Sequence, residues 1–161
     1  MRSFEAEASV VLGGSPDRVF DLFVDDANFF ALRPNAVEHR DIVPLPDGGH
    51  SCVQVHEIRG RRIELRSTCR VFDRPHRIVD VGETTFGSSL HTATFEPIDD
   101  RTLVRLHITT SRNHDIGIIT AVLERARTRR ALRRVLGTLD HLTAAEADAK
   151  RDSVSRPPDD R

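Results

Sequence analysis

Six strand-like segments in succession, from about residue 36 to residue 110, are followed by a single long helical pattern from about Asp115 to Ala147. A helix of that length must bury its apolar stripe, and the large partner on offer is one antiparallel sheet. A curved sheet closed by one long helix leaves space between the layers, which suits a small apolar ligand. The expected fold is therefore α+β: a curved seven-stranded antiparallel sheet wrapped around the C-terminal helix, with a central cavity.

Local patterns supply the elements. Phe4, Ala6, Ala8, Val10 and Leu12 alternate with Ser3, Glu5, Glu7 and Ser9, the period of a half-buried strand. Gly13-Gly14 ends it, Ser15 is a good N-cap, and Pro16 and Asp17 suit a first helical turn running on to about Val24. Asp26 opens a second short helix through Phe29 and Leu32, and Pro34 stops it. Strands are expected at about Ala36–Val43, His50–Ile58, Arg62–Phe72, Arg77–Thr85, Ser89–Ile98 and Thr102–Thr110. The short turn signals between them imply sequential antiparallel neighbours. The helix carries Ile119, Val122, Leu123, Ala126, Leu132, Val135, Leu136, Leu139 and Leu142. Residues 148–161 form a polar tail that cannot bury enough surface to order itself.

The register follows from the turns, because opposing residues share a face. A two-residue Asp99-Asp100 turn sets Phe95 against Val104, Ala93 against Leu106 and His91 against Ile108. Extending this across the sheet sets Val81 against Phe95, Glu83 against Ala93, Cys69 against Val81 and Leu65 against Val55. The apolar face then reads Val53, Val55, Ile63, Leu65, Cys69, Val71, Val79, Val81, Ala93, Phe95, Val104, Leu106 and Ile108. Arg62, Glu64, Arg66, Arg70, Asp80, Glu96, Arg105 and His107 fall on the wet face.

Composition excludes several functions. At 161 residues, 38% apolar and 30% charged, the chain suits one soluble domain. A net charge of −1 gives no global field for nucleic acid or anionic membrane. Only Lys150 is a lysine, a bias that fits a GC-rich genome. No apolar run reaches a membrane span, and the alternating start does not resemble a secretory signal. This register puts Cys52 and Cys69 on opposite faces, a poor geometry for a disulfide. A reduced, cytoplasmic protein is expected, as monomer or homodimer.

At this point the order of elements resembles the helix-grip fold of the START-like (SRPBCC) superfamily, over about residues 3 to 146. The residues that carry the likeness are Ser15-Pro16-Asp17-Arg18-Val19-Phe20, Asp25-Asp26-Ala27-Asn28, Thr92-Ala93-Thr94-Phe95-Glu96-Pro97 and Arg130-Ala131-Leu132-Arg133-Arg134-Val135-Leu136. They are most similar to the polyketide cyclase/dehydrase-like branch. That superfamily also includes pollen allergens of the pathogenesis-related type and lipid-transfer domains. The likeness implies a START-like domain over residues 1–147. One departure is Phe29-Phe30-Ala31-Leu32-Arg33-Pro34, where many relatives carry a Trp or Pro-rich segment; the whole chain lacks Trp and Tyr.

The polar residues expected among the apolar face are Glu57, Ser67, Glu83, Thr85, His91 and Thr110. Glu83 and His91 are expected as diagonal neighbours, and a carboxylate holding an imidazole could serve as general base in an enolisation or cyclisation. The favoured reading is that the two hydrogen-bond each other and a water at the cavity mouth and only orient a polar ligand head. The expected ligand-lining set is Phe23, Phe30, Val55, Leu65, Ser67, Cys69, Val81, Thr85, Phe95, Leu106, Ile108, Ile119, Leu123 and Ala126. Eight histidines form no His-Glu-x-x-His or similar spacing, and His39, His50, His56, His76, His107 and His114 fall mostly on the wet face or in loops, so no metal is expected. There is no phosphate loop and no other cofactor signature. The arginines of residues 125–134 lack interleaved aromatics and read as a solvated helix face.

Two functions follow. The first is a non-catalytic protein holding a small hydrophobic or aromatic metabolite, lipid or polyketide-like, between sheet and helix. The alternative is an aromatase/cyclase or dehydratase-type enzyme using Glu83 and His91, with Ser67 or Thr110 assisting. A partner-binding module using the helix or the charged sheet face ranks third.

Overall fold

The computed structural model describes residues 3–58 and 60–154. Strand β1 spans Ser3–Gly13, helix α1 Pro16–Val24, a 3₁₀ turn Asp26–Asn28 and helix α2 Phe29–Leu32. Strands β2 (Ala36–Pro44), β3 (His50–Ile58), β4 (Arg61–Asp73), β5 (Arg77–Thr84), β6 (Gly87–Ile98) and β7 (Arg101–Arg112) follow, then helix α3 (Ile118–Val154). All seven strands form one antiparallel sheet in the order β1-β7-β6-β5-β4-β3-β2. This is the expected helix-grip architecture. Helix α3 extends past the expected end at Ala147, so part of the expected tail is helical and residues 155–161 lie outside the described residues.

Each local signal finds its role. Ser15 caps α1, its hydroxyl accepting from the Arg18 backbone N–H, with Pro16 opening the helix. Asp25 caps the 3₁₀ turn by accepting from Ala27 N–H at 2.9 Å. Arg18 then ties α1 to α3, donating to Glu146 Oε2 at 3.0 Å and to the Thr143 carbonyl at 2.8 Å.

The register is as expected between β6 and β7, with Phe95 opposite Val104 and His91 opposite Ile108. It differs elsewhere, for three reasons. Ile58 pairs with Arg61, leaving only two residues in the turn, with Gly60 at a φ of 73°. Leu65 therefore opposes Gln54 rather than Val55. A bulge between Cys69 and Val71 shifts β4 against β5. Thr84 pairs with Gly87, so Val81 opposes Leu90 rather than Phe95, Glu83 opposes Ser88 rather than Ala93, and Asp80 opposes His91. Gly87 is required there, since a Cβ would sit 2.0 Å from the Ser111 carbonyl oxygen. These shifts are odd in number, so β3 and β5 present the opposite faces to those expected.

Cys52, Gln54, His56, Ile78, Asp80 and Gly82 thus point inward, while Glu83 faces out. Cys52 and Cys69 share the inner face instead of lying on opposite ones, and both are free thiols. The core is densest where Phe20 meets Phe72 and Phe95 edge to face, each at 5.3 Å between ring centroids. Leu12, Val19, Val104 and Leu139 close around them.

Helix α3 buries only part of its expected apolar stripe, and near its start the buried residue is Ala121. Leu132, Leu136 and Leu139 are buried, but Ile118, Ile119, Val122 and Leu123 are exposed. Leu123 and Leu132 are nine residues apart, roughly two and a half turns, so they point to opposite sides of the helix. No helix among the described residues is long and apolar enough to cross a membrane.

Candidate functional site: a divided hollow between sheet and helix

Two adjoining cavities lie between the sheet and the helices. The larger, of about 280 Å³, is walled by Phe23, Leu65, Ile78, Ala93, Leu106, Ile108, Leu132 and Val135, with Arg33, Gln54, His56, Ser67, Asp80 and His91 adding polar groups. Pro34 and Asn35 of the α2–β2 connection and Ala131 and Arg134 of α3 also line it. The smaller, of about 190 Å³, is lined by Phe29, His50, Cys69 and Phe72. Phe23, Arg33, Gln54, Ser67, Ile78 and Asp80 belong to both walls. Small residues make the space: Gly82, Ala93 and Ser67 occupy positions where larger side chains would fill it. A Cβ on Gly82 would meet Leu65 Cδ1 at 2.8 Å and Ser89 Oγ at 2.9 Å.

Charge inside the hollow is held chiefly by Arg33 and Asp80. Burial lowers the Arg33 pKa, while the Asp80 carboxylate opposes that shift. Burial raises the Asp80 pKa, and Arg33 and the Cys69 thiol pull it back. Arg33 also lies over the Phe29 ring, its Cζ 4.5 Å from the centroid. Burial pushes the Cys69 thiol up to about 11, with Asp80 adding to the effect. His91 bonds Ser89 Oγ at 2.8 Å. Burial, then Arg33 and His56, drive its pKa down to about 4. His56 Nε2 contacts Gln54 Oε1 at 3.1 Å, and burial lowers its pKa too. The His56 and His91 imidazoles are neutral hydrogen-bonding groups near pH 7.

Of the expected lining residues, Phe23, Leu65, Ser67, Leu106 and Ile108 reach the larger cavity, and Cys69 reaches the smaller. The others are placed elsewhere. Glu83 is exposed on the outer face, opposite Arg66, so no Glu83–His91 pair forms in the interior. Val55 is buried on the outer face and Val81 half-buried there, both moved by the register shifts. Thr85 sits exposed in the β5–β6 turn, and Glu57 is exposed as well. Phe95 is spent on core packing against Phe20 and Phe23. Phe30, Ile119, Leu123 and Ala126 are exposed. Asp80, His39, His50 and His56 were expected outside; Asp80, His50 and His56 line the hollow instead. Arg33, Gln54 and Asp80 are the functional candidates that sequence periodicity missed. For Gln54 and Asp80 the signal is the pair Gly60 and Gly87, whose positions favour the tighter turns; no turn signal points to Arg33.

No protein-family model and no curated protein sequence matches the chain. Solved structures do match in fold. A START superfamily protein from Mycobacterium smegmatis superposes with a TM-score of 0.71 at 15% identity, covering 86% of this chain and 99% of its own. The di-domain ARO/CYC StfQ from the steffimycin biosynthetic pathway gives 0.73 at 11% identity, over 91% of this chain and 53% of that one. Ara h 8.0201 gives 0.62 at 12% identity, over 85% and 97%. At such identities the likeness speaks of architecture alone. The chain has the START-like helix-grip fold.

Proposed function

We propose that this protein binds a small, largely apolar molecule, lipid or polyketide-like, in the hollow between the sheet and α3. The observation that carries the reading is the cavity of about 280 Å³ with apolar walls and a few convergent polar groups. Arg33, Asp80, Ser67 and His91 gather toward one region, so the molecule is expected to carry a hydroxyl, carbonyl or carboxylate end. Placing that end beside Arg33 compensates a guanidinium that burial disfavours.

The cyclase or dehydratase alternative draws on the fold it shares with StfQ. Its expected Glu83–His91 pair does not form: Glu83 is outside, and His91 with a pKa of about 4 accepts a proton weakly near neutrality, which leaves Asp80, whose pKa burial raises, as the carboxylate that would have to act as base. Simple binding is the better-supported reading. Native mass spectrometry of freshly purified protein tests it, with an expected single co-purified small molecule released on denaturation. A ligand-free spectrum, together with no saturable uptake of an apolar fluorophore, would refute it.

A further inference from the structure

We infer that His39, His50 and Cys52 form a binding site for a borderline-soft divalent metal ion such as Zn²⁺, at the wall of the smaller cavity. One donor atom from each residue lies within 4.8 Å of the other two. Two imidazoles and a thiolate are the ligand types such an ion selects. Around tetrahedral zinc, donors stand roughly 3.3–3.8 Å apart, given bonds of about 2.0–2.3 Å. The donors would have to draw together by up to about 1–1.5 Å to reach that spacing.

Three further observations point to an ion rather than a chance cluster. His39 Nε2 is shielded from solvent and has no hydrogen-bond partner, one of two such buried side-chain atoms among the described residues. A buried nitrogen left unbonded is costly, and a metal bond satisfies it. The His39 ring is also fixed, stacked on Phe29 at 3.7 Å with an interplanar angle of 2°. On the other side, Gln54 Nε2 donates to Cys52 Sγ at 3.6 Å while its Oε1 contacts His56. That is the outer support a metal-bound thiolate uses.

Local structure explains how the three meet. His50 and Cys52 are two apart on β3 and share its inner face. His39 comes from β2, which is irregular between Arg40 and Val43, with Asp41 at a φ of 55°. Such bulges re-aim side chains at functional sites. Three protein ligands leave a fourth position, and of the three His50 lines the smaller cavity. Water or an oxygen of a bound molecule would fill it. On binding, the metal–sulfur bond forms as the Cys52 S–H bond breaks, and the proton leaves to solvent.

The site does not depend on the small-molecule reading, and its test needs no small molecule. Protein stripped by a chelator is titrated with Co²⁺ and followed by absorbance. Saturation at one equivalent with a thiolate-to-cobalt charge-transfer band is expected, and Zn²⁺ should abolish the band by displacement. Cys52→Ser should remove the band, while Cys69→Ser retains it. His39→Ala and His50→Ala should each weaken binding by at least about tenfold. Should a variant fail to fold, the unaltered chain still decides: Zn²⁺ at saturation must raise its Tm. No saturable band, a band that follows Cys69 instead of Cys52, or an unchanged Tm would overturn the inference.

Discussion

The space between sheet and helix has a dry end and a hollow end, built from the same strands. At the dry end Phe20, Phe72 and Phe95 interlock edge to face, and Leu12, Val104 and Leu139 seal them. At the hollow end the same strands β4, β5 and β6 carry Ser67, Gly82 and Ala93, with Asp80 and His91 between. The backbone separation is set by the curved sheet and α3. What differs is side-chain volume and polarity. Stability is thus concentrated at one end, and capacity for a ligand at the other.

The sharpest way to break this comparison is to truncate one residue at each end. Phe95→Ala should cost about 3–5 kcal/mol, since its ring is fully enclosed. Leu65→Ala, half-buried beside the void, should cost less than about 2 kcal/mol, because it already lacks neighbours on one side. Urea unfolding of the two variants measures the difference. Equal losses would mean the hollow is packed like the core.

Acid should expose the hollow end next. His91 is held near 4, below its ordinary value of 6.5, so the unfolded chain binds its proton first as pH falls. Stability is full above pH 6.5 and is lost between there and pH 4, by about 3 kcal/mol for this group. His39 and His56, also pushed down by burial, add to the same limb. Unfolding curves for His91→Gln should show an acid loss smaller by about that amount, whereas Phe95→Ala should run parallel to the unaltered protein. An identical acid limb in His91→Gln would contradict the burial of this imidazole.

The smallest effect is expected at the start of α3. Ile119 is 78% exposed, and Ile119→Ser should change stability by less than about 0.5 kcal/mol in thermal unfolding. A larger loss would mean that this stretch packs against something.

Much of this was legible in the residues. Turn signals placed every strand to within about two residues, and the Asp99-Asp100 turn set the β6–β7 register correctly. Register across the remaining strands was not legible, because it rests on details that periodicity averages out. Gly60 permits a two-residue turn, the β4 bulge inserts one residue, and Gly87 lets Thr84 close on it directly. An odd slip, one residue between β3 and β4 and five between β5 and β6, exchanges Val55 for Gln54 and Glu83 for Gly82 on the inner face. The apolar stripe of α3 misled for a related reason: its two halves sit on different sides, and in the first half the buried face carries Ala121 rather than Ile119, Val122 and Leu123. Parity errors therefore fell hardest on the site, where a few polar residues matter, and lightly on the fold, where any apolar face suffices.

The central claim is an accessible hollow at one end of the grip, and a fluorescence titration with 1-anilinonaphthalene-8-sulfonate tests it most directly. The unaltered protein should bind one equivalent, Ser67→Leu should lose that binding by filling the cavity, and Ile119→Ser should retain it. No saturable binding, or binding that survives Ser67→Leu and disappears with Ile119→Ser, would place the apolar surface on the exposed helix and contradict the account.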